Sequence, residues 1–220
     1  TGLAALAGLL AAPMRGVTYD PLKRLLDLLV ASVLLVVTAP LQAVVAGLVR
    51  WRLGTPVLFR QPRPGKDERV FELVKFRPML EPDPARGRVS DADRMTRLGS
   101  VLRATSLDEL PTLWNVVKGE MSLVGPRPLL VRSLPLYSAE QRRRHEVRPG
   151  VTGLAQVSGR NAIGWDEKFA LDVTYVDSRS LAQDVKILLR TVAKVLRRDG
   201  ISEDGAVTMS EFTGAGVQDG

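Results

Sequence analysis

The chain contains no cysteine and a single histidine, His145, among its 220 residues. The first absence excludes disulfides and thiolate-bound metals, and it fits a reducing compartment. The second argues against a histidine metal site or a serine–histidine–aspartate relay. Acid–base or nucleophilic chemistry then falls to carboxylates, lysine, tyrosine or serine. Aromatic residues make up only 5% of the chain, too few for the rings interleaved with basic residues that hold single-stranded nucleic acid. No nucleic-acid partner is expected. What is present is 45% hydrophobic residues together with a formal charge of +7. That combination points to an anionic partner, either a membrane surface or a phosphorylated substrate. The length suits one sizeable domain, and no internal repeat or interdomain linker interrupts it.

The opening "TGLAALAGLLAA" is apolar but lacks the basic start of a signal peptide, so residues 1–18 read as a frayed tail or a non-native remnant. From Leu28 to Val49 no charge occurs, over about twenty residues, the length that crosses a bilayer core. Pro40 sits in the middle, where it removes a backbone hydrogen bond and kinks a helix. Lys23 and Arg24 precede the stretch and Arg50 and Arg52 follow it; the positive-inside tendency places both pairs on the cytoplasmic side. A segment that enters, bends at Pro40 and returns satisfies both constraints. A single crossing and a buried core helix remain as alternatives. Asp27 is placed near the interface or paired with Lys23 at i,i+4. Trp51, between Arg50 and Arg52, reads as an interfacial anchor.

Further on, Val57–Gln61 and Val70–Phe76 are β-prone runs joined by a Pro/Gly/Asp turn, the pattern of a hairpin. Its Arg60, Arg63, Lys66, Lys75 and Arg77 read mostly as solvated edge charges. "RMTRLGSVLRATS" resumes helical spacing. Then "SLDELP" sets two adjacent carboxylates, Asp108 and Glu109, in a basic chain. Ser106 with Glu109 matches the S-x-x-E capping box, a purely structural explanation. The functional alternative is an ionised carboxylate at a helix start where phosphate docks, a nucleophile for phosphoryl chemistry. Arg127 lies between two prolines, a rigid fork for phosphate oxygens. Arg148-Pro149-Gly150 and Gly153 can form an anion-binding nest, and Gly159-Arg160 repeats the theme. Together these elements describe a diphosphate site with a nucleophile and a divalent cation. His145 reads as a surface or interfacial residue of a helix Ala139–Glu146, in preference to a pH-sensitive phosphate ligand. Trp114 reads as packing. "SLAQDVKILLRTVAKVLRR" is amphipathic, lying either on the bilayer or on the core.

The order of these motifs resembles the small monotopic phosphoglycosyl transferases of the bacterial sugar transferase family. The matching stretches are "KRLLDLLVASVLL" with Pro40, "GTPVLFRQPRPG", "VFELVKFR", "TSLDELPTLWNVVKGEMSLVGPRP", "RHEVRPGVTGLAQVSGRN", "FALDVTYVDSRSLAQDVKILLRTV" and "ISEDGAVTMSEFTG". The resemblance implies an α+β fold, mostly helical. Residues 19–53 would form a re-entrant membrane hairpin kinked at Pro40. Residues 54–220 would form a cytoplasmic catalytic domain with a small β-hairpin and amphipathic interfacial helices. It implies a monotopic enzyme on the cytoplasmic face of the bacterial inner membrane. That enzyme would move a sugar-1-phosphate from a UDP-sugar to polyprenyl (undecaprenyl) phosphate with Mg²⁺ and release UMP. Asp108 matches the nucleophile that becomes an aspartyl phosphosugar, and Glu109 its metal-assisting neighbour, so both carboxylates fall at the metal. Lys75, Arg103 and Arg127 match basic positions near the phosphates, with Arg148 and Arg160 as weaker additions. Membrane lipids are expected partners, and a homo-oligomer stays open. The tail resembles members that use N-acetylated amino sugars. Three positions depart from the pattern: Ala39 replaces a serine before Pro40, Pro78 a threonine, and Leu154 a tryptophan.

Overall fold

The computed structural model describes residues 19–159, 163–197, 212 and 214. It is mostly helical, with one long apolar helix at its start and a small antiparallel sheet. Helix α1 (Tyr19–Arg52) leads into strands β1 (Leu58–Pro64) and β2 (Val70–Phe76). Helices α2 (Asp91–Arg94) and α3 (Arg97–Ala104) follow, then a 3₁₀ turn (Leu107–Thr112) that runs into α4 (Leu113–Lys118). The chain continues through β3 (Ser122–Val124), α5 (Ala139–Arg142), β4 (Gly150–Thr152), α6 (Leu154–Ser158), α7 (Trp165–Ser178) and α8 (Leu181–Arg197).

Both halves of α1 are bound to the same protein body. Near its start, Ala31 is buried among Phe71, Leu113, Val116, Leu123, Tyr175 and Ile187. Near its end, Val45, Val49 and Leu53 pack with Phe76 and Leu102. Polar contacts reinforce each half. Tyr19 Oη and Lys23 Nζ both donate to Asp184 Oδ2 at 2.8 Å, and Tyr175 Oη donates to Asp184 Oδ1 at 2.7 Å. Arg24 donates to the carbonyls of Val116 and Val117, which end α4. Asp27 is buried rather than interfacial; it accepts from the Leu123 N–H at 3.2 Å and lies 3.8 Å from Lys23. At the far end, Arg77 donates to the Leu53 carbonyl. Between these anchors the apolar side chains face outward, with Val36 75% and Val37 69% exposed. The break expected at Pro40 is absent: the helix runs continuously from Tyr19 to Arg52. Thr38, two residues before Pro40, donates to the Leu34 carbonyl at 2.6 Å, the back-bond that the residue at position 39 does not supply.

Strands β1 and β2 pair antiparallel from Leu58↔Phe76 to Pro64↔Val70, so the expected hairpin is present and its first strand extends past Gln61. Pro62 and Pro64 fit because this is a two-stranded sheet with free edges. A second sheet, unforeseen in the sequence, pairs β3 with β4 in parallel. Its glycines serve close approach. A Cβ on Gly150 would lie 2.1 Å from the Gly125 nitrogen, and one on Gly153 would lie 2.2 Å from the Gly125 oxygen. The Gly150 N–H donates to the Pro126 carbonyl at 2.9 Å, so it is committed to the backbone and is not part of an anion-binding nest. The expected helix Ala139–Glu146 is also divided: α5 ends at Arg142, and residues Arg143–Glu146 tighten into a 3₁₀ turn.

Asp184 collects three donors from α1 and α7 in a site where it is 6% exposed. Replacing it with alanine removes the buried acceptor shared by Lys23 and two hydroxyls. Asp184→Ala should lower stability by about 3 kcal/mol, seen in a thermal melt of detergent-solubilised protein as a fall of roughly 10 °C.

Candidate active site

Four segments bring charged groups to the buried carboxylate of Asp108. Strand β2 carries Lys75, α3 carries Arg103, the 3₁₀ turn carries Asp108 and Glu109, and the loop after β3 carries Arg127. The 3₁₀ turn begins at Ser106, whose backbone is left-handed (φ 56°, ψ 18°) and whose side chain caps nothing. The S-x-x-E box is therefore not formed. A capping residue needs extended backbone for its oxygen to reach the third N–H of the helix, and Ser106 lacks that geometry. Glu109 instead accepts from Arg127 Nη2 at 2.6 Å.

The turn is stitched to the hairpin by two polar residues that sequence reasoning passed over. Thr112 Oγ1 donates to the Val74 carbonyl at 2.9 Å. The fully buried Asn115 accepts from the Val74 N–H at 3.1 Å and donates to the Glu72 carbonyl at 2.7 Å. Val74 adjoins Lys75 in the strand and Glu72 lies three residues before it, so these bonds fasten the turn of Asp108 to the strand that carries Lys75. The signal available in the sequence was an asparagine between apolar residues in "LWNVV".

Asp108 is 5% exposed, and among the described residues no hydrogen bond or ion pair reaches it. Burial, and then the charge of Glu109, raise its pKa to about 6 against the pull of Lys75, Arg127 and Arg103. Burial lowers the pKa of Lys75, while Asp108 and Glu109 act in the opposite direction. The Lys75 ammonium lies 5.4 Å from the centre of the Phe59 ring. Nη1 of Arg103 is buried and has no hydrogen-bond partner among the described residues. Arg63, expected as an edge charge, belongs to the same surroundings. Its Nη1 donates to the Pro128 carbonyl at 3.1 Å, and burial, with Arg127 nearby, lowers its pKa to about 10. Arg60 does behave as an edge charge, paired across the hairpin with Glu72.

Other candidates lie apart from this group. Arg148 donates from Nε to the Gly119 carbonyl at 2.9 Å and borders a cavity with Tyr19, Lys23 and Asp27. Arg160 falls outside the described residues. His145 is buried rather than on the surface, its Nδ1 3.2 Å from the Gly65 carbonyl of the hairpin turn. Burial lowers its pKa to about 4, so it is neutral at pH 7 and offers no charge to a phosphate. Trp114 is 53% exposed, and the core contacts of α4 are made by Leu113 and Val116 instead.

Asp108 and Glu109 supply oxygen ligands alone, and no cluster of three or more metal-ligating side chains occurs among the described residues. This suits Mg²⁺ better than zinc. Mg²⁺ takes one or two carboxylates and completes its shell with water and substrate phosphates. The raised pKa and absent partners of Asp108 are a further fit, because a nearby cation would favour its ionised form.

Comparison with known proteins bears on this site. The family model described as bacterial sugar transferase matches residues 18–198. The chain is 50% identical over 196 residues to an uncharacterized sugar transferase, EpsL, of Bacillus subtilis (strain 168), covering 89% of this chain and 97% of that protein. It is 42% identical over 200 residues to the UDP-glucose:undecaprenyl-phosphate glucose-1-phosphate transferase of Caulobacter vibrioides, covering 85% and 74%. It is 38% identical over 197 residues to the undecaprenyl-phosphate galactose phosphotransferase of Salmonella typhimurium, covering 81% of this chain and 41% of that protein.

The raised pKa has a stability consequence of definite sign. A carboxyl that binds its proton more tightly when folded destabilises the fold at pH values above its folded pKa, near 6 here. That penalty shrinks as the pH falls toward the unfolded value of 3.8 and vanishes below it. Asp108→Asn should therefore melt higher than the parent at pH 7.5, by on the order of 2 kcal/mol. The two melting curves should converge below about pH 4.

Proposed function

The chain belongs to the bacterial sugar transferase family, and we propose that it transfers a sugar-1-phosphate from a UDP-sugar to polyprenyl phosphate through Asp108. The observation that carries this reading is a buried carboxylate, beside Lys75, Arg103 and Arg127, that accepts no hydrogen bond from the described residues. An Asp kept only for structure would be expected to accept bonds from backbone or side chains. A nucleophile must instead keep its oxygens available to the incoming phosphorus.

In the first step an Asp108 oxygen attacks the β-phosphorus of the donor. The bond from that phosphorus to the bridging oxygen breaks, and UMP departs with the oxygen. In the second, an oxygen of the lipid phosphate attacks the same phosphorus. The acyl phosphate bond breaks, Asp108 is restored as a carboxylate, and a polyprenyl diphosphate sugar is formed. The bond between the sugar's anomeric carbon and its oxygen is untouched, so the sugar keeps its configuration. Arg127 is placed to grip phosphate oxygens with its fork while Glu109 orients it. Lys75 and Arg103 offset the charge that gathers as the bridging oxygen leaves. Held by Asp108, Glu109 and the donor phosphates, Mg²⁺ would screen the diphosphate and make UMP a better leaving group.

The acceptor is a lipid and the donor is soluble, so the reaction belongs at a membrane surface. Three features support a re-entrant α1 on the cytoplasmic face of the inner membrane. Its two ends dock on one body, its outward middle is apolar, and basic residues flank it on both sides. Bound to one body, the two ends share one side of the bilayer. On α8, Val185, Leu189 and Val192 are each more than half exposed while Asp184 and Ile187 face the core, which suits a helix lying on lipid. The donor sugar belongs to the set of UDP-hexoses and their N-acetylated amino counterparts. Relatives are named for glucose and galactose, and the tail "ISEDGAVTMSEFTG" suggests the N-acetylated class.

With Mg²⁺ and a matching UDP-sugar but no lipid, purified protein should release UMP in a burst no larger than one per chain. Chelation should prevent the burst, and Asp108→Asn should abolish it while leaving the protein folded. Initial rates with both substrates should give parallel double-reciprocal lines; intersecting lines would favour direct transfer within a ternary complex. The kcat/KM for the donor should fall about tenfold per pH unit below the Asp108 pKa of about 6, because only the ionised carboxyl attacks.

A further inference from the structure

Arg144 is one of three consecutive arginines, yet it is 3% exposed. Its Nε and Nη2 both donate to Asp172 Oδ2, at 3.1 and 2.7 Å, and Asp172 on α7 is equally buried. Its Nη1 donates to Tyr137 Oη at 3.0 Å. The remaining bond leaves this cluster: Nη2 donates to the backbone carbonyl of Arg127 at 2.7 Å. The guanidinium lies between aromatic rings, 5.6 Å from the centre of Tyr137 and 5.3 Å from that of Phe169. Phe212, from the far end of the chain, closes this bed. It stacks on Tyr137 at 5.7 Å and meets Phe169 edge-on at 4.8 Å.

A buried ion pair adds little net stability compared with apolar packing, so its use is better sought in what it orients. Here the oriented group is the backbone of Arg127, the residue whose side chain reaches Glu109. Pro126 and Pro128 already restrict that backbone. Pinning its carbonyl from behind fixes the direction in which the side chain leaves the chain. Orienting an arginine fork before substrate arrives lowers the ordering cost of gripping a phosphate.

We propose that the Arg144–Asp172 pair, held by Tyr137 and the aromatic bed, is a positioning element that aims Arg127 at the phosphates of the nucleotide donor. The inference rests on the donor reading given above. It makes Arg144, Asp172 and Tyr137 positioning residues, acting through Arg127 and touching no substrate.

The test is a double-mutant cycle read by binding, which needs no turnover. Full-length protein in detergent is titrated calorimetrically with UDP and Mg²⁺. Tyr137→Phe keeps the ring and removes one bond to Arg144, so the fold should be retained. It should weaken UDP binding about tenfold, the effect of losing one bond to a charged group. In an Arg127→Lys background, where a charge remains but the fork is gone, the same substitution should change affinity less than about twofold. An equal loss in both backgrounds would mark general damage and overturn the proposal. So would unchanged affinity in Tyr137→Phe alone. Failure of the unsubstituted protein to bind UDP would instead remove the donor reading itself.

Discussion

The site depends on a carboxylate that is largely withdrawn from water and accepts no hydrogen bond from the described residues. Asp108 is buried, its pKa is raised to about 6, and its protein neighbours act on it through space. Burial strips most of its water away, and no hydrogen bond from the described residues takes that water's place. The cost of leaving such a group buried is offset by cations within electrostatic reach. The other features of the site follow from that constraint. Ser106 takes a left-handed backbone where a cap would have been simpler, Glu109 turns to Arg127, and Asn115 and Thr112 fasten the turn to the strand that carries Lys75.

The apolar helix is tied to the same framework. Arg24 holds the end of α4, Asp27 binds the backbone at Leu123, and Arg77, one residue beyond β2, binds the carbonyl of Leu53. The elements that hold the apolar helix are thus the neighbours of those that build the site. On the proposed reading, a lipid phosphate at the bilayer surface and a carboxylate fastened to that helix would meet at a set depth. A loose linker between anchor and domain could not fix that depth.

The sequence made the chemistry more legible than the supports. Asp108, Glu109 and Arg127 stood out by type and spacing, whereas Lys75 and Arg103 were pointed to only by the family resemblance; the fold gathers the five. The hairpin was readable from its alternating pattern and its turn. The parallel pair β3–β4 was not, since each strand is three residues long and the partners are separated by twenty-five intervening positions. Arg144 and His145 looked like a solvated basic run; only the tertiary fold shows which residues of "RRRHE" point inward. Gly150 and Gly153 suggested an anion nest, whereas with Gly125 they serve the close approach of two backbones. The capping box was the plainest reading of "SLDE", and a single left-handed residue, which no periodicity signals, removed it.

One measurement bears most directly on the central claim. Protein incubated with Mg²⁺ and a UDP-sugar in the absence of lipid is quenched, digested and examined by mass spectrometry. The peptide containing Asp108 should carry the mass of the sugar phosphate, and the adduct should vanish when polyprenyl phosphate is added. An unmodified peptide at a time when UMP has already been released, or the adduct on another residue, would contradict the account.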